Sequence, residues 1–529
     1  MPKNIKNKTT NTPLVLVILD GWGLWKETEG NAIAQAKTPV MDGLYKQYPH
    51  TKINASEKEV GLSKNQPGNS EAGHMNIGAG RVVEQDSISI SKSINNGTFF
   101  KNPAFLQAAT QVTKNKSDIH LIGLLSDKSS PHADNDHILS LLSFFVNKTD
   151  RNIYLHLFTD GRDSPQFAAA RILEKYKIIF DRKRIKIATI MGRFYAMDRK
   201  KTWDRTETAY KAMVLGQGIE VESASEAVNQ AYNRGESDEF IQPTVIVKNK
   251  KPIATIKDKD AVIFFNLRSD RARQLAKVFA QTNFEKKNKG AFKPKKKFKN
   301  LLFVALTDFG PDLDNILTAF PGIDIPETLP FTLRDLRQLY IAETEKYAHV
   351  TYFFNGGYDH VIAGEDRVEI PSKDVDSYST VPAMSTKEVN IHVRKVIKED
   401  KYDFICVNFA SPDMVAHTGD LVAGIKAVEV VDTELGKLVN TVLKKNGTII
   451  VTADHGNIEE MINLETKEID TKHSINPVPL IVINHIKYKL RKNGKLADIA
   501  PTILDILDLP KPKLMQAKPP NKKATYLSF

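Results

Sequence analysis

Leu14-Val15-Leu16-Val17-Ile18-Leu19, followed by Asp20-Gly21-Trp22-Gly23, is the stretch that decides the fold class. Its apolar residues are consecutive, not alternating, and β-branched residues are prominent among them. That pattern predicts a strand buried on both faces, as in a parallel sheet covered by helices. The run stops at an acid. Open α/β sheets bind ligands just beyond the carboxyl ends of their strands, so Asp20 is the first candidate functional residue. Thr38-Pro39 then predicts a helix start, with Pro at the first helical position and the helix running to about Tyr48.

The same arrangement recurs along the chain. Predicted strands at 119–125, 153–158, 185–190 and 261–265 run into polar loops that carry His132, Arg162, Asp163, Arg193, Arg199, Arg268 and Arg271. One surface arginine is ordinary, but a series of them beyond strand ends predicts a cluster that grips phosphate or carboxylate through forked donors. Further strands are expected at 301–306, 346–354, 404–409, 447–452 and 479–484, a helix at 386–398, and a closing helix at 496–504. The later strands release acids and imidazoles: Asp413 and His417 after Phe409, then Asp454 and His455 after Thr452, with His473 in a following loop. Carboxylate with imidazole is the ligand mixture of zinc, manganese and similar divalent ions. Asp413 and His417 are four residues apart, so one helical turn puts them on one face.

Between the first strand and the arginine-bearing region lies Gln66-Pro67-Gly68-Asn69-Ser70-Glu71-Ala72-Gly73-His74-Met75-Asn76. Pro and Gly break regular structure, and a helix is expected to open at the serine. Alone, Ser70 reads most simply as an N-cap. Beside two metal sites it becomes a nucleophile, because a bound metal ion lowers the pKa of a hydroxyl. His74 is expected to fix this loop locally and not to bind metal. Metal-assisted phosphoryl transfer through a phosphoserine is the reading that unites these groups.

Composition sets the bounds. The chain has 529 residues, 41% hydrophobic and 26% charged, which fits a packed globular protein of several units. A single cysteine, Cys406, allows no intrachain disulfide; it lies in a buried-strand pattern and is expected to pack. No apolar run approaches the length of a membrane span, so a cytoplasmic protein without a membrane partner is expected. The net charge of +12 draws on eight lysines between Lys286 and Lys299. That cluster has neither spaced stacking aromatics nor a nucleic-acid module, and it reads as a solvated loop.

The segments NQPGNSEAGHMNIGAGR, IMGRFYAMDR, FFNLRSDRARQL, EKYAHVTYFFNGG, NFASPDMVAHTG, TADHGN and HSINPVP resemble, in order, the signature segments of the cofactor-independent phosphoglycerate mutases of the alkaline phosphatase superfamily. The resemblance extends from about Leu14 to Leu509 and leaves out the polar tails and the lysine-rich loop. It implies an α/β fold of two domains: an alkaline-phosphatase-like split domain at 1–86 and 319–529, and an inserted α/β transferase domain at 87–318. It implies interconversion of 3-phosphoglycerate and 2-phosphoglycerate through a phosphoserine at Ser70, usually with two manganese ions, by a monomer. By the same resemblance Asp413, His417 and His473 hold one ion, and Asp20, Ser70, Asp454 and His455 the other. His132, Arg162, Asp163, Arg193, Arg199, Arg268, Arg271 and Lys346 fall on the substrate-binding positions. Ala72, Ser269 and Ala416 depart from the family pattern, none at a ligand position. Another phosphoesterase or mutase on this scaffold, such as a phosphopentomutase, and a non-enzymatic polyanion binder are the competing readings.

Overall fold

The computed structural model describes residues 12–526 except 128, 129, 181, 311, 323 and 516–524. The chain divides into two compact units, one built from residues up to Gln85 and beyond Gly322, the other from Asp86–Gly322.

The first unit is organised on an eight-stranded sheet in the order Asp366–Ile370, Gln338–Glu343, Phe404–Phe409, Leu14–Leu19, Thr448–Thr452, Val478–Ile483, His50–Asn54, Gly494–Lys495. Leu14–Leu19 is central and fully buried, as its unbroken apolar run requires. It is parallel to both neighbours, with Leu19 opposite Phe409 and Ile18 opposite Thr452. Phe404–Phe409 is in turn parallel to Gln338–Glu343. The carboxyl ends of these four adjacent strands therefore lie along one edge of the sheet. Val478–Ile483 and His50–Asn54 extend the sheet in antiparallel pairings. Cys406 is buried in this core and its thiol is pushed up by burial alone, consistent with a packing role.

The second unit has its own sheet, whose parallel centre runs Leu302–Thr307, Ala261–Phe264, Ile119–Leu125, Ile153–Thr159, Ile185–Gly192. Leu125, Thr159 and Gly192 are in register, so these strands also end together. Pairing of Leu317–Phe320 with Leu302–Thr307 carries this unit on to Gly322.

One expected strand is helical. Residues 346–354 form the end of the helix Thr344–Ala348 and a π-helical turn, His349–Phe353, while the strand is the preceding Gln338–Glu343. The β-branched and aromatic residues that suggested a strand instead supply contacts to the helix Ser70–Ala79: Gly78 lets the Phe354 carbonyl approach to where a Cβ would lie 1.9 Å away. Tertiary packing overrides local propensity here. The lysine-rich segment also differs from a free loop. Seven of its eight lysines are exposed, yet Phe292 and Phe298 pack on the second unit's core and Lys296 donates to the Ile256 carbonyl. Among the described residues no helix is long and apolar enough to cross a membrane.

Candidate functional site

In the first unit, each of the four parallel strands delivers a polar group just beyond its carboxyl end. Leu14–Leu19 gives Asp20, and Thr448–Thr452 gives Asp454 and His455. Phe404–Phe409 runs into the short helix Ser411–Ala416, which presents Asp413 and ends at His417. Gln338–Glu343 leads to Lys346 on the next helix. Ser70 opens the helix Ser70–Ala79, but Asn69 is its cap: the Asn69 side chain accepts from the Ala72 N–H at 2.9 Å. The simple capping role read for Ser70 thus belongs to its neighbour, and Ser70 Oγ is left to the cluster. It lies 2.9 Å from His455 Nε2, 2.8 Å from Lys346 Nζ and 3.3 Å from Asp20 Oδ1.

The electrostatics of this cluster are lopsided. Asp20, Asp413 and Asp454 are all buried, and Lys346 is the cation among them, with Nζ 2.6 Å from both Asp20 Oδ1 and Asp413 Oδ2. Burial pushes the Asp20 carboxyl up, and Asp454 adds to the shift against the pull of Lys346. Burial also works against charge on Lys346, but the surrounding carboxylates outweigh it and hold the ammonium protonated. Asp413 is held well below the usual carboxylate range because Lys346 and His417 overcome its burial. Three buried carboxylates against one ammonium leave an excess of negative charge that calls for cations.

The ligand atoms fit divalent ions. Asp20, Asp454 and His455 offer atoms within 4.8 Å of one another, as do Asp413, His455 and His473. Asp454 Oδ2 is buried without a hydrogen-bond partner, the state of an acceptor reserved for a metal ion. His417 Nδ1 faces the Thr471 carbonyl at 2.8 Å and His473 Nδ1 faces the Gly68 carbonyl at 2.8 Å. Each carbonyl fixes the proton on Nδ1 and frees Nε2, as in metal-bound histidines. Those two Nε2 atoms are 3.1 Å apart, and both lie within 3.4 Å of Asp413 Oδ1. His417 thus joins the Asp413 group expected from the sequence, while His455 faces both groups, its ring stacked on His473 at 3.9 Å.

Sequence reading passed over several buried groups that hold this arrangement. Asn457 donates to Asp413 Oδ1 at 2.7 Å. Glu459 accepts from the Gly23 and Asn457 N–H groups and from Ser474 and Asn476, which joins the loops after Asp20, Asp454 and His473. Gly23 and Gly456 allow this approach, since a Cβ at either would lie within 2.3 Å of the Glu459 carboxylate. A polar residue inside an apolar strand, as Asn408 is in Phe404–Phe409, was the one signal available in the sequence.

The second unit gathers the cations. Arg193, almost fully buried, pairs with Asp160 Oδ1 at 2.6 Å and with Asp163 Oδ2. His132 Nε2 is 3.8 Å from Asp163 Oδ2, and Arg199 pairs with Asp270 at 3.0 Å. Burial and then the charges of Arg268, Arg193, Arg271 and Arg199 hold His132 well below the usual imidazole range, so these arginines surround one neutral ring. Arg271 itself is lowered to about 10 by burial and by Arg199, Arg193 and Arg162. Arg162 points outward and is 3.5 Å from Glu239. Cations that depress one another in this way are stabilised by an anion. Asp160, which the sequence reading did not single out, also accepts from Ser126 and from the Arg162 and Asp163 N–H groups, and so shapes the turn beneath Arg193.

Fold and site together define a two-unit α/β metalloenzyme, and residues 12–511 match the family profile described as the metalloenzyme superfamily. The chain is 47% identical over 509 residues to the 2,3-bisphosphoglycerate-independent phosphoglycerate mutase of Clostridium kluyveri, covering 96% of this chain and 98% of that protein. The enzyme of the same name from Acetivibrio thermocellus is also 47% identical over 509 residues, covering 95% and 98%. Among solved structures, Leishmania mexicana phosphoglycerate mutase at low cobalt concentration superposes with a TM-score of 0.80 at 27% identity, covering 98% of each chain. The chain belongs to the 2,3-bisphosphoglycerate-independent phosphoglycerate mutase family within the metalloenzyme superfamily.

Proposed function

We propose that this chain is an isomerase that interconverts 3-phosphoglycerate and 2-phosphoglycerate in glycolysis and gluconeogenesis, without 2,3-bisphosphoglycerate, through a phosphoserine at Ser70. The observation that carries the reading is Ser70 Oγ, held at the start of a ten-residue helix within 3.3 Å of His455, Lys346 and Asp20. Near-full-length relatives of the same name support it. We take the division of the chain into two units as a phosphatase-like metal-binding domain and an inserted substrate-binding domain.

Asp413, His417 and His473 would hold one divalent ion, and Asp20, Ser70, Asp454 and His455 the other, both taken here as manganese. Bound there, the ions supply Lewis-acid stabilisation of the serine oxygen and of the phosphoryl oxygens. The chain's own groups do the rest. Lys346 donates to Ser70 Oγ and opposes charge that develops on it. The positive end of the helix Ser70–Ala79 favours the incoming phosphoryl group. His132, Arg162, Asp163, Arg193, Arg199, Arg268 and Arg271 bind and orient the anionic glycerate. Ser70 Oγ gives up its proton and attacks phosphorus, the phosphorus–oxygen bond to the glycerate breaks, and the released glycerate oxygen takes a proton in exchange. The other glycerate hydroxyl then gives up its proton and attacks the phosphoserine, the bond between phosphorus and Ser70 Oγ breaks, and Oγ takes a proton back. We place the enzyme in the cytoplasm as a monomer, with the phosphoglycerate as its small-molecule partner.

The test is direct trapping. The protein incubated with 3-phosphoglycerate and manganese, quenched in acid and digested, should yield a peptide phosphorylated at Ser70. Phosphate found on no residue while turnover proceeds would rule out the covalent route.

A further inference from the structure

His74 and Asn408 do not belong to either proposed ligand set, yet both are wholly buried beside them. His74 lies one helical turn after Ser70, and its Nδ1 is 2.9 Å from the Ser70 carbonyl and 3.3 Å from Asp454 Oδ2. Both neighbours are acceptors, so Nδ1 carries the proton. On the other side of the ring, Asn408 Nδ2 is 3.0 Å from His74 Nε2 and 2.7 Å from Asp20 Oδ2. Asp20 is ion-paired with Lys346 and accepts, so the nitrogen of the Asn408 amide faces it, and the second amide hydrogen reaches a bare Nε2. Donor directions are thereby fixed along one line, from Asn408 to Asp20 on one side and to His74 on the other, and from His74 to the Ser70 carbonyl, with Asp454 Oδ2 set 3.3 Å from the same nitrogen.

A second observation shows that the helix is pressed into this place. A Cβ at Gly73 would lie 2.6 Å from the Asp454 carbonyl oxygen and 2.8 Å from Asp454 Cβ, so only glycine lets the His74 turn approach so closely. The His349 ring, centred 5.6 Å from that of His74, backs it from the neighbouring π-helical turn.

We infer that His74 and Asn408 act as one positioning pair, which orients the Asp20 and Asp454 carboxylates and the Ser70 backbone as a unit for a single metal ion. The inference rests on the two-ion reading above and goes beyond it by assigning non-ligand residues to one ion and not the other. His74 is thus more than the local brace of its loop that the sequence suggested. Asn408 reaches it from a strand more than three hundred residues away.

The test uses manganese alone and the full chain, titrated calorimetrically, so activity is not the readout. In His74→Phe and in Asn408→Leu, one of the two binding events should weaken about 10- to 100-fold, as outer-shell partners typically do, while the other stays within about threefold. The double variant should bind about as well as the weaker single variant, because either change alone breaks the pair. Should His74→Phe not fold, Asn408→Leu carries the comparison alone, with His74→Asn as the conservative variant. The asparagine keeps a donor against the Ser70 carbonyl and should recover most of the lost affinity. Unchanged affinity, equal weakening of both events, or single losses that multiply in the double variant would overturn the pairing. A wild-type chain that takes up no manganese would overturn the two-ion reading and the pair together.

Discussion

The two units use one architectural device for opposite charges. Each has a sheet whose central parallel strands end in register, and each spends those ends on its polar groups. In the first unit the groups are three buried carboxylates with imidazoles and a lone ammonium, an arrangement that attracts cations. In the second they are arginines around a neutral His132, an arrangement that attracts an anion. Exposure differs as well: Ser70 is 6% exposed, whereas the Arg162 and Arg199 side chains are 55% and 52% exposed. The comparison teaches that strand-end geometry positions groups, while residue type alone decides what they hold.

The largest expected effect breaks the first unit's side. Ser70→Ala should lower mutase turnover by at least about a thousandfold while circular dichroism and unfolding temperature stay near wild type, because a nucleophile is lost but no core packing. Substantial residual isomerisation would sink the phosphoserine route.

On the second unit's side, Arg271→Ala should raise KM for 3-phosphoglycerate about 10- to 100-fold, the worth of a charged hydrogen bond. Manganese affinity should stay unchanged. A variant that loses metal and keeps KM would erase the distinction between the two clusters.

A smaller effect is expected in stability. Glu343, buried before the Lys346 helix with Oε1 unpartnered, is raised to about 7, chiefly by burial. Its folded pKa exceeds its unfolded value near 4.5, so its favourable contribution is full below that value and is lost as pH rises through about 7. Glu343→Gln should therefore match wild type at about pH 4 and be more stable by about 2 kcal/mol at pH 8. Denaturant unfolding at both pH values checks this, and a gain that is the same at both would refute it.

The smallest effect concerns the basic segment. Exchanging its exposed lysines, Lys286, Lys287, Lys289, Lys293, Lys295, Lys297 and Lys299, for glutamine should leave turnover within about threefold, as expected for screened surface charge. Loss of most activity would favour a polyanion-binding role.

Much of this comparison was legible in the chain because buried parallel strands announce themselves. Leu14–Leu19, Ile119–Leu125 and Phe404–Phe409 were readable as continuous apolar runs, and the acids, imidazoles and arginines follow such runs directly. The segment 346–354 was misread because β-branched and aromatic residues suit a strand equally well, and only the packing partner on Ser70–Ala79 decides. Ser70 could not be told from a cap, since Asn69 and Ser70 are adjacent and both cap well. Asn408, Glu459 and Asp160 escaped for another reason. Their work is to hold other side chains, and apart from the polarity of Asn408 inside an apolar strand no local pattern records it.

The most direct measurement of the central claim is a coupled assay on 3-phosphoglycerate with purified protein and no 2,3-bisphosphoglycerate, before chelation, after it, and after manganese is returned. Formation of 2-phosphoglycerate that is abolished by chelation and restored by manganese is the predicted result. Release of inorganic phosphate without 2-phosphoglycerate, or turnover indifferent to chelation, would contradict the account.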